Sequence, residues 1–235
     1  MKKYIGTKQI EAEPMTRGDA WGKHLLREKP STENFDDEGY HVRYEDEYES
    51  WSPKDVFEKA YKIAETPVDR MQIEAEEVNG RYVKLAAFID SGKMDEVVND
   101  MYNKCLLEMQ CCTMFDYIRL LDTRIQRMQG SDSAEVRKMN FGMAIMALKA
   151  GFPIRRSGWN GKGLMVFKQI PAHIESDVIP KMQSLPQSAK DLILKGKGFI
   201  DYTSQCLIYN ENTGRADSWV PSISDVFAED WEIVD

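Results

Sequence analysis

A chain of 235 residues with 42% hydrophobic and 10% aromatic side chains is apolar enough to bury a core, which excludes a disordered chain. The formal net charge of −8 sets it against general nucleic-acid binding, because the phosphate backbone dominates such affinity. Residues 1–66 and 67–137 each carry −4, while residues 138–235 are neutral and repel an anionic ligand least.

Cys105, Cys111, Cys112 and Cys206 show no CxxC spacing, and His24, His41 and His173 are scattered. A structural metal site needs several converging N and S ligands, so the expectation is no metal, no cofactor, and free thiols in a reducing compartment. Met1 to Gly6 lacks the apolar core of a signal peptide, and no apolar run reaches membrane-spanning length. The expectation is a soluble, cytoplasmic protein without membrane contact.

In chain order, Tyr4 to Ala12 alternates like a strand. The polar stretch from Pro14 to Glu38 reads as loop, with a short helix around Ala20–Arg27. Tyr40 to Tyr44 and Ser50-Trp51 read as strands. Ser52-Pro53-Lys54-Asp55 has the pattern of a helix start, with Ser as the cap and Pro at the first helical position. That helix ends before Pro67. Residues 1–66 thus form a small α+β module.

Residues 67–130 are helical. Met71, Ala75, Val78, Tyr82, Leu85 and Ile89 recur at intervals of three and four, Asp90-Ser91-Gly92 interrupts, and Leu107, Cys111, Met114, Ile118, Leu121, Ile125 and Met128 resume the pattern. This predicts an antiparallel hairpin whose apolar seam packs on itself, on a second copy, or on both. Gly130-Ser131-Asp132-Ser133 is a polar linker.

Residues 138–235 form the third part. Asn140 is placed to cap a helix through Ala150, and Gly151 to stop it. An extended stretch from Pro153 to Arg156 leads into the glycine-rich loop Ser157-Gly158-Trp159-Asn160-Gly161-Lys162-Gly163, then a strand from Leu164 to Ile170. A polar excursion from Pro171 to Gly198 reads as loop plus a helix at Ser188–Leu194. Cys206–Tyr209 and Arg215–Val220 form a strand–turn–strand unit. Ser224 caps a short helix, and Trp231–Val234 closes as a strand. The fold class is α+β: an N-terminal β/α module, a central antiparallel helical hairpin, and a C-terminal domain with an antiparallel sheet.

Trp159 between glycines, flanked by Arg155, Arg156 and Lys162, has the composition of a nucleotide site. A base stacks on the ring and phosphates meet charge-assisted donors, while Ser222, Ser224 and Asp225 can bond ribose or base edges. A Trp in a glycine-rich loop is also a common plug for a small core. The loop lacks the spacing of a phosphate-binding P-loop.

Met139-Asn140-Phe141-Gly142, Ala147-Leu148-Lys149-Ala150-Gly151, Arg156 to Gly163, Trp219 to Asp225 and Ala228 to Ile233 occur in that order. The series closely resembles the Thoeris anti-defence type two family of phage and prophage proteins. The first module, with Gly39-Tyr40 and Tyr48 to Glu58, resembles a module appended to various prophage proteins. The resemblance implies a small α+β domain that assembles as a homotetramer. It implies binding and sequestration of a cyclic ADP-ribose isomer or a cyclic oligonucleotide such as a cyclic dinucleotide, without cleavage, in the infected or lysogenic host. It also implies pockets between protomers near the Trp159 loop and the Trp219–Asp225 segment. The ligand-binding candidates are Phe141, Arg155, Arg156, Trp159, Asn160, Gly161, Lys162, Met165, Trp219, Pro221, Ser222, Ser224 and Asp225. No catalytic set is expected: His173 falls in the excursion, and Glu229-Asp230-Trp231 reads as a helix end and strand start. The alternatives are a phage structural or adaptor protein and, behind it, a signal-degrading hydrolase.

Overall fold

The structure is a computed structural model and describes residues 9–234. The chain divides into two compact units, Met1–Glu74 and Ala75–Asp235. The architecture is α+β, with helices in the middle and antiparallel sheets on either side in sequence.

In the first unit, β1 (Ile10–Thr16), β2 (Glu38–Tyr44) and β3 (Glu49–Pro53) form an antiparallel sheet in that order. Strand β1 continues through Pro14, where the sequence predicted loop. An edge strand tolerates proline because one row of its N–H groups faces away from the ladder; the Tyr4–Lys8 part of the expected strand lies outside the described residues. The first helix, α1 (Arg17–Gly22), is earlier and shorter than expected, because Thr16 accepts from the Asp19 N–H and starts it at Arg17. Helix α2 (Lys54–Ala60) begins one residue later than the Ser-Pro pattern predicted, with Pro53 still paired in β3 and supplying the cap position. Tyr40 of β2 stacks on Phe57 of α2 at 4.1 Å and donates its hydroxyl to Glu58. Trp51 lies over Gly39, where any Cβ would sit 2.4 Å from the indole ring, and donates its N–H to Met15 O.

Helix α3 (Pro67–Asp90) and helix α5 (Met101–Met128) form the hairpin, with Tyr82 against Phe115 at 5.7 Å. Gly92 takes φ of +72° at the break, a conformation glycine adopts without penalty. A short helix absent from the sequence reading, α4 (Lys93–Val97), fills the turn. Seam residues Ala75, Leu121 and Ile125 are buried, while Val78, Leu85, Leu107 and Met114 are half-buried. The hairpin joins the rest of the second unit through polar contacts: Arg119 donates to Lys138 O, and the Asn140 amide donates to Asp116.

The C-terminal domain begins with α6 (Phe141–Lys149), capped as expected by Asn140, whose Oδ1 accepts from Met143 N–H at 3.0 Å. Five antiparallel strands follow: β4 (Ile154–Arg156), β5 (Leu164–Lys168), β8 (Cys206–Asn210), β9 (Arg215–Trp219) and β10 (Trp231–Ile233), in the order β10-β4-β5-β8-β9. Helix α6 packs on β10, β4 and β5. The excursion opens with a strand where loop was expected, β6 (Ala172–Ile174), which pairs with β7 (Ile200–Tyr202), a strand just past Gly198 that the sequence left unassigned, as a ribbon around α7 (Gln187–Lys195). Three-residue strands carry too little alternation to stand out from a polar loop. The last helix, α8 (Ile223–Val226), is capped by Ser222 rather than Ser224. Asp225 at its third position completes a reciprocal capping box, and that pair outcompetes a cap two residues on.

Candidate functional site

The core of the C-terminal domain is Met139, Met143, Ala144, Leu148, Ile154, Val166, Ala228 and Trp231, and Trp231 is fully buried. Trp231 sits among three rings. Trp159 meets it edge-on at 5.4 Å, Trp219 edge-on at 6.1 Å, and Phe141 at a tilt at 5.7 Å. Trp219 and Trp231 belong to the two edge strands of a five-stranded sheet. Edges four strand spacings apart lie about 19 Å from each other in a flat sheet, so contact between these rings requires the sheet to roll around Trp231.

A polar network lies against this aromatic cluster. Arg156 projects from β4 on the same face as Ile154. Its Nε donates to Asp230 Oδ1 at 2.7 Å, and its Nη1 to Asp225 Oδ1 at 2.9 Å and to Ser224 O at 3.2 Å. Asp225 also accepts the Trp159 indole N–H at 3.1 Å, the Ser222 hydroxyl at 2.7 Å and the Ser222 N–H at 3.0 Å. Asp230 accepts the Gly158 N–H at 2.8 Å, where a Cβ on residue 158 would stand 2.5 Å from that carboxylate. Trp231 donates its indole N–H to Asp225 O at 3.1 Å.

The electrostatics follow from these partners. Burial works to raise the Asp225 pKa, but the Ser222 hydroxyl, Arg156, the Ser222 N–H and the Trp159 indole outweigh it and bring it down to about 2. Burial likewise opposes Asp230, yet Arg156 and the Gly158 N–H hold its pKa below the ordinary carboxylate value. Asp230, then Asp225, push Arg156 upward. At neutral pH the three groups are a fixed cation between two anions.

Trp159, Arg156, Phe141, Trp219, Ser222 and Asp225 come together by direct contacts around Trp231. Ser224 joins them through its carbonyl and through a 2.8 Å contact between its hydroxyl and that of Ser222. Half-buried Pro221 lies beside them in sequence. Asn160, Gly161 and Lys162 are exposed on the loop between β4 and β5, and Lys162 has no ion-pair partner among the described residues. Arg155 and Met165 are placed differently. Side chains alternate across a strand, so both lie on the sheet face opposite to Arg156 and Val166. Arg155 pairs there with Glu232 at 3.2 Å. Asp230 and Trp231, the centre of the network, were absent from the sequence-derived site. Their signal was the Glu-Asp-Trp run itself, a polar-to-aromatic step entering the closing strand.

Among the described residues no group of three or more His, Cys, Asp or Glu is placed to hold a metal ion, and no helix is long and apolar enough to cross a membrane. An open depression of about 770 Å³ lined by Ile10, Arg43, Tyr44 and Glu49, and a second of about 400 Å³ lined by Met15, Gly39, Tyr40 and Glu58, both lie in the first unit.

The domain is a rolled antiparallel sheet around the buried Trp231, with the half-buried Trp159 pinned against it by an Arg–carboxylate network. Residues 139–234 match the family model of the Thoeris anti-defense 2-like domain, and residues 65–127 match the family model named Sequestin. The protein Thoeris anti-defense 2 of Bacillus phage SP01 is 34% identical over 102 residues, which cover 41% of this chain and 96% of that protein. Through its C-terminal region, the chain belongs to the Thoeris anti-defense 2 family.

Proposed function

We propose that this protein acts against bacterial defence by holding a small cyclic nucleotide signal without cleaving it, with a cyclic ADP-ribose isomer as the first candidate and cyclic oligonucleotides as the second. The name of the phage SP01 relative supports the anti-defence role. The observation that carries the ligand reading is Trp159. Its N–H is tied to Asp225 and its edge to Trp231, so the ring is fixed before any ligand arrives, while it remains only half-buried. A preorganised stacking surface loses little entropy on binding. Beside it stand the exposed Asn160, Gly161 and Lys162 and the hydroxyls of Ser222 and Ser224, which suit phosphate and ribose. Arg156 serves mainly as scaffold, with Nη2 making no hydrogen bond among the described residues. Phe141, Trp219, Pro221 and Asp225 form the floor. Arg155 and Met165 face away from this floor and reach a ligand held on another copy.

The ligand pocket is completed by that other copy. Val220, Ile223 and Phe227 form an apolar ridge beside Ser222 and Ser224, and each is more than 80% exposed. Such a ridge next to polar groups marks an association surface, and burying it in a homo-oligomer, a tetramer in the simplest case, walls the open side of the Trp159 surface. Retention without turnover agrees with the depressed pKa of Asp225, which leaves no proton to donate at neutral pH.

The test is equilibrium titration of a cyclic ADP-ribose isomer into the full chain and into Trp159→Ala. Stacking of one base is worth roughly 1–3 kcal/mol, so the variant binds roughly 5- to 150-fold more weakly while keeping its far-ultraviolet dichroism. Unchanged affinity in a folded variant removes Trp159 from the site.

A further inference from the structure

The glycine-rich loop that carries Trp159 and Lys162 is fastened at both ends by residues far along the chain. At its start, Asp230 accepts the Ser157 N–H on its carbonyl at 3.0 Å and the Gly158 N–H on its carboxylate at 2.8 Å. At its end, the turn between β8 and β9 holds two successive carbonyls. The Asn212 side-chain amide donates to Lys162 O at 2.8 Å, and the Glu211 N–H donates to Gly163 O at 2.9 Å. That turn is itself ordered, since Asn210 accepts the Asn212 N–H on Oδ1 at 2.9 Å and the Gly214 N–H on its carbonyl at 2.8 Å. Gly163 admits the turn: its φ is +75°, and a Cβ there would stand 2.5 Å from Asn212 Nδ2 and 2.6 Å from Glu211 Cγ. Between the anchors, the N–H groups of Asn160, Gly161 and Lys162 make no hydrogen bond among the described residues, and all three residues are exposed. A stretch that contains Gly161 and borders Gly163 moves freely unless it is tied.

We propose that Asn212 is a positioning residue for this loop: by holding Lys162 O it fixes where the Lys162 ammonium stands beside the Trp159 ring. Two features single it out. First, its bond is the side-chain tie at the Lys162 end, whereas the bond from Glu211 to Gly163 O is main chain and does not depend on the side chain at 212. Second, the two ends are held by separate groups. Asp230 belongs to the network that also fixes the Trp159 indole through Asp225, while Asn212 touches neither carboxylate. Loss of the Asn212 amide therefore frees the Lys162 half of the loop and leaves the stacking half in place. A cation on a fixed main chain has less freedom to lose when it meets a phosphate. The clamp exists with or without a ligand; its effect on binding rests on the nucleotide reading of the Trp159 surface.

The experiment compares the full chain with Asn212→Ala and with Asn212→Asp, which keeps the size of the side chain but donates no hydrogen bond. Backbone amide relaxation is measured first, by nuclear magnetic resonance without ligand. Gly161 and Lys162 are expected to show order parameters of about 0.85 in the wild-type chain and below about 0.6 in both variants, while the Trp159 indole N–H resonance stays in place. A cyclic ADP-ribose isomer is then titrated. Asn212→Ala binds roughly 3- to 10-fold more weakly, the worth of one hydrogen bond. The same loss appears when Trp159→Ala is already present, and it shrinks below about two-fold when Lys162→Ala is, because the group being positioned is gone. A merely structural role costs the same in every background. Unchanged order parameters in both variants, a wild-type loop that is already flexible, or equal losses with and without Lys162 each overturn the positioning role. A wild-type chain that holds no ligand defeats the nucleotide reading, and the relaxation result then decides the clamp by itself.

Discussion

In the hairpin, the residues that hold α5 against α3 recur every three or four positions along a single helix and involve no buried charge. In the C-terminal domain, the residues around Trp231 come from positions 141, 159, 219 and 225, on four separate elements, and an Arg with two carboxylates is set among them. The hairpin is a repeat whose pieces are interchangeable in kind. The domain depends on a few side chains that no neighbour can replace, and its ion network has meaning only once distant parts of the chain have met. What the contrast teaches is where each region fails. The hairpin loses stability in proportion to apolar volume removed, whereas the domain fails by losing one hub or by stranding a charge.

The sharpest break is Trp231→Ala. It removes the fully buried ring touched by three other aromatics and the N–H donated to Asp225 O, at an expected cost of about 3–5 kcal/mol. In urea unfolding, tryptophan fluorescence of the domain shifts to a lower midpoint while the helical dichroism of the hairpin keeps its own. Coincident shifts in both signals show that the two regions unfold as one. Arg156→Met comes next, at about 3 kcal/mol at neutral pH, because it leaves Asp225 and Asp230 uncompensated beside each other. Its defect shrinks as pH is lowered towards about 4, where the stranded carboxylates take up protons. A defect that does not vary with pH assigns the loss to packing.

Leu121→Ala is the counterpart in the hairpin. Leu121 is 1% exposed, and the truncation costs about 2–4 kcal/mol, with the dichroism midpoint moving and no dependence on pH. The smallest effect is acid sensitivity of the wild-type chain. The folded pKa of Asp225 is about 2, below its unfolded value of 3.8. Its contribution, about 2 kcal/mol by linkage, is complete above pH 4 and is lost as pH falls from about 4 to about 2. The Asp225→Asn chain begins less stable and lacks that part of the acid slope. An unchanged slope moves the acid sensitivity to other carboxylates.

The same contrast decides what the sequence disclosed. The seam of α5 was legible because its spacing is local, and so were the Asn140 cap and the Gly151 stop, each a residue acting within its own turn. The cluster of Trp159, Ser222 and Asp225 was visible as types of residue in two blocks, but their joining was not. Arg156 looks like a phosphate ligand in sequence because nothing local shows that Asp225 and Asp230 claim its donors across 69 and 74 positions. Arg155 and Arg156 read alike as neighbours, and only strand pairing sends them to opposite faces. The β6–β7 ribbon was missed because three-residue strands leave no period to detect, and the cap of α8 was misplaced by two residues because Ser222 and Ser224 are locally equivalent until Asp225 closes the box.

The most direct measurement is a release test on the full chain. The protein is mixed with a cyclic ADP-ribose isomer made by a bacterial TIR enzyme, freed of unbound ligand, heat-denatured, and the supernatant analysed by mass spectrometry. Intact cyclic ligand is expected, recovered in a fixed stoichiometric ratio to chain and reduced in Trp159→Ala. Hydrolysed product accumulating beyond that ratio contradicts it and makes the protein an enzyme. Absence of retained ligand, for this isomer and for cyclic dinucleotides and trinucleotides alike, contradicts sequestration itself.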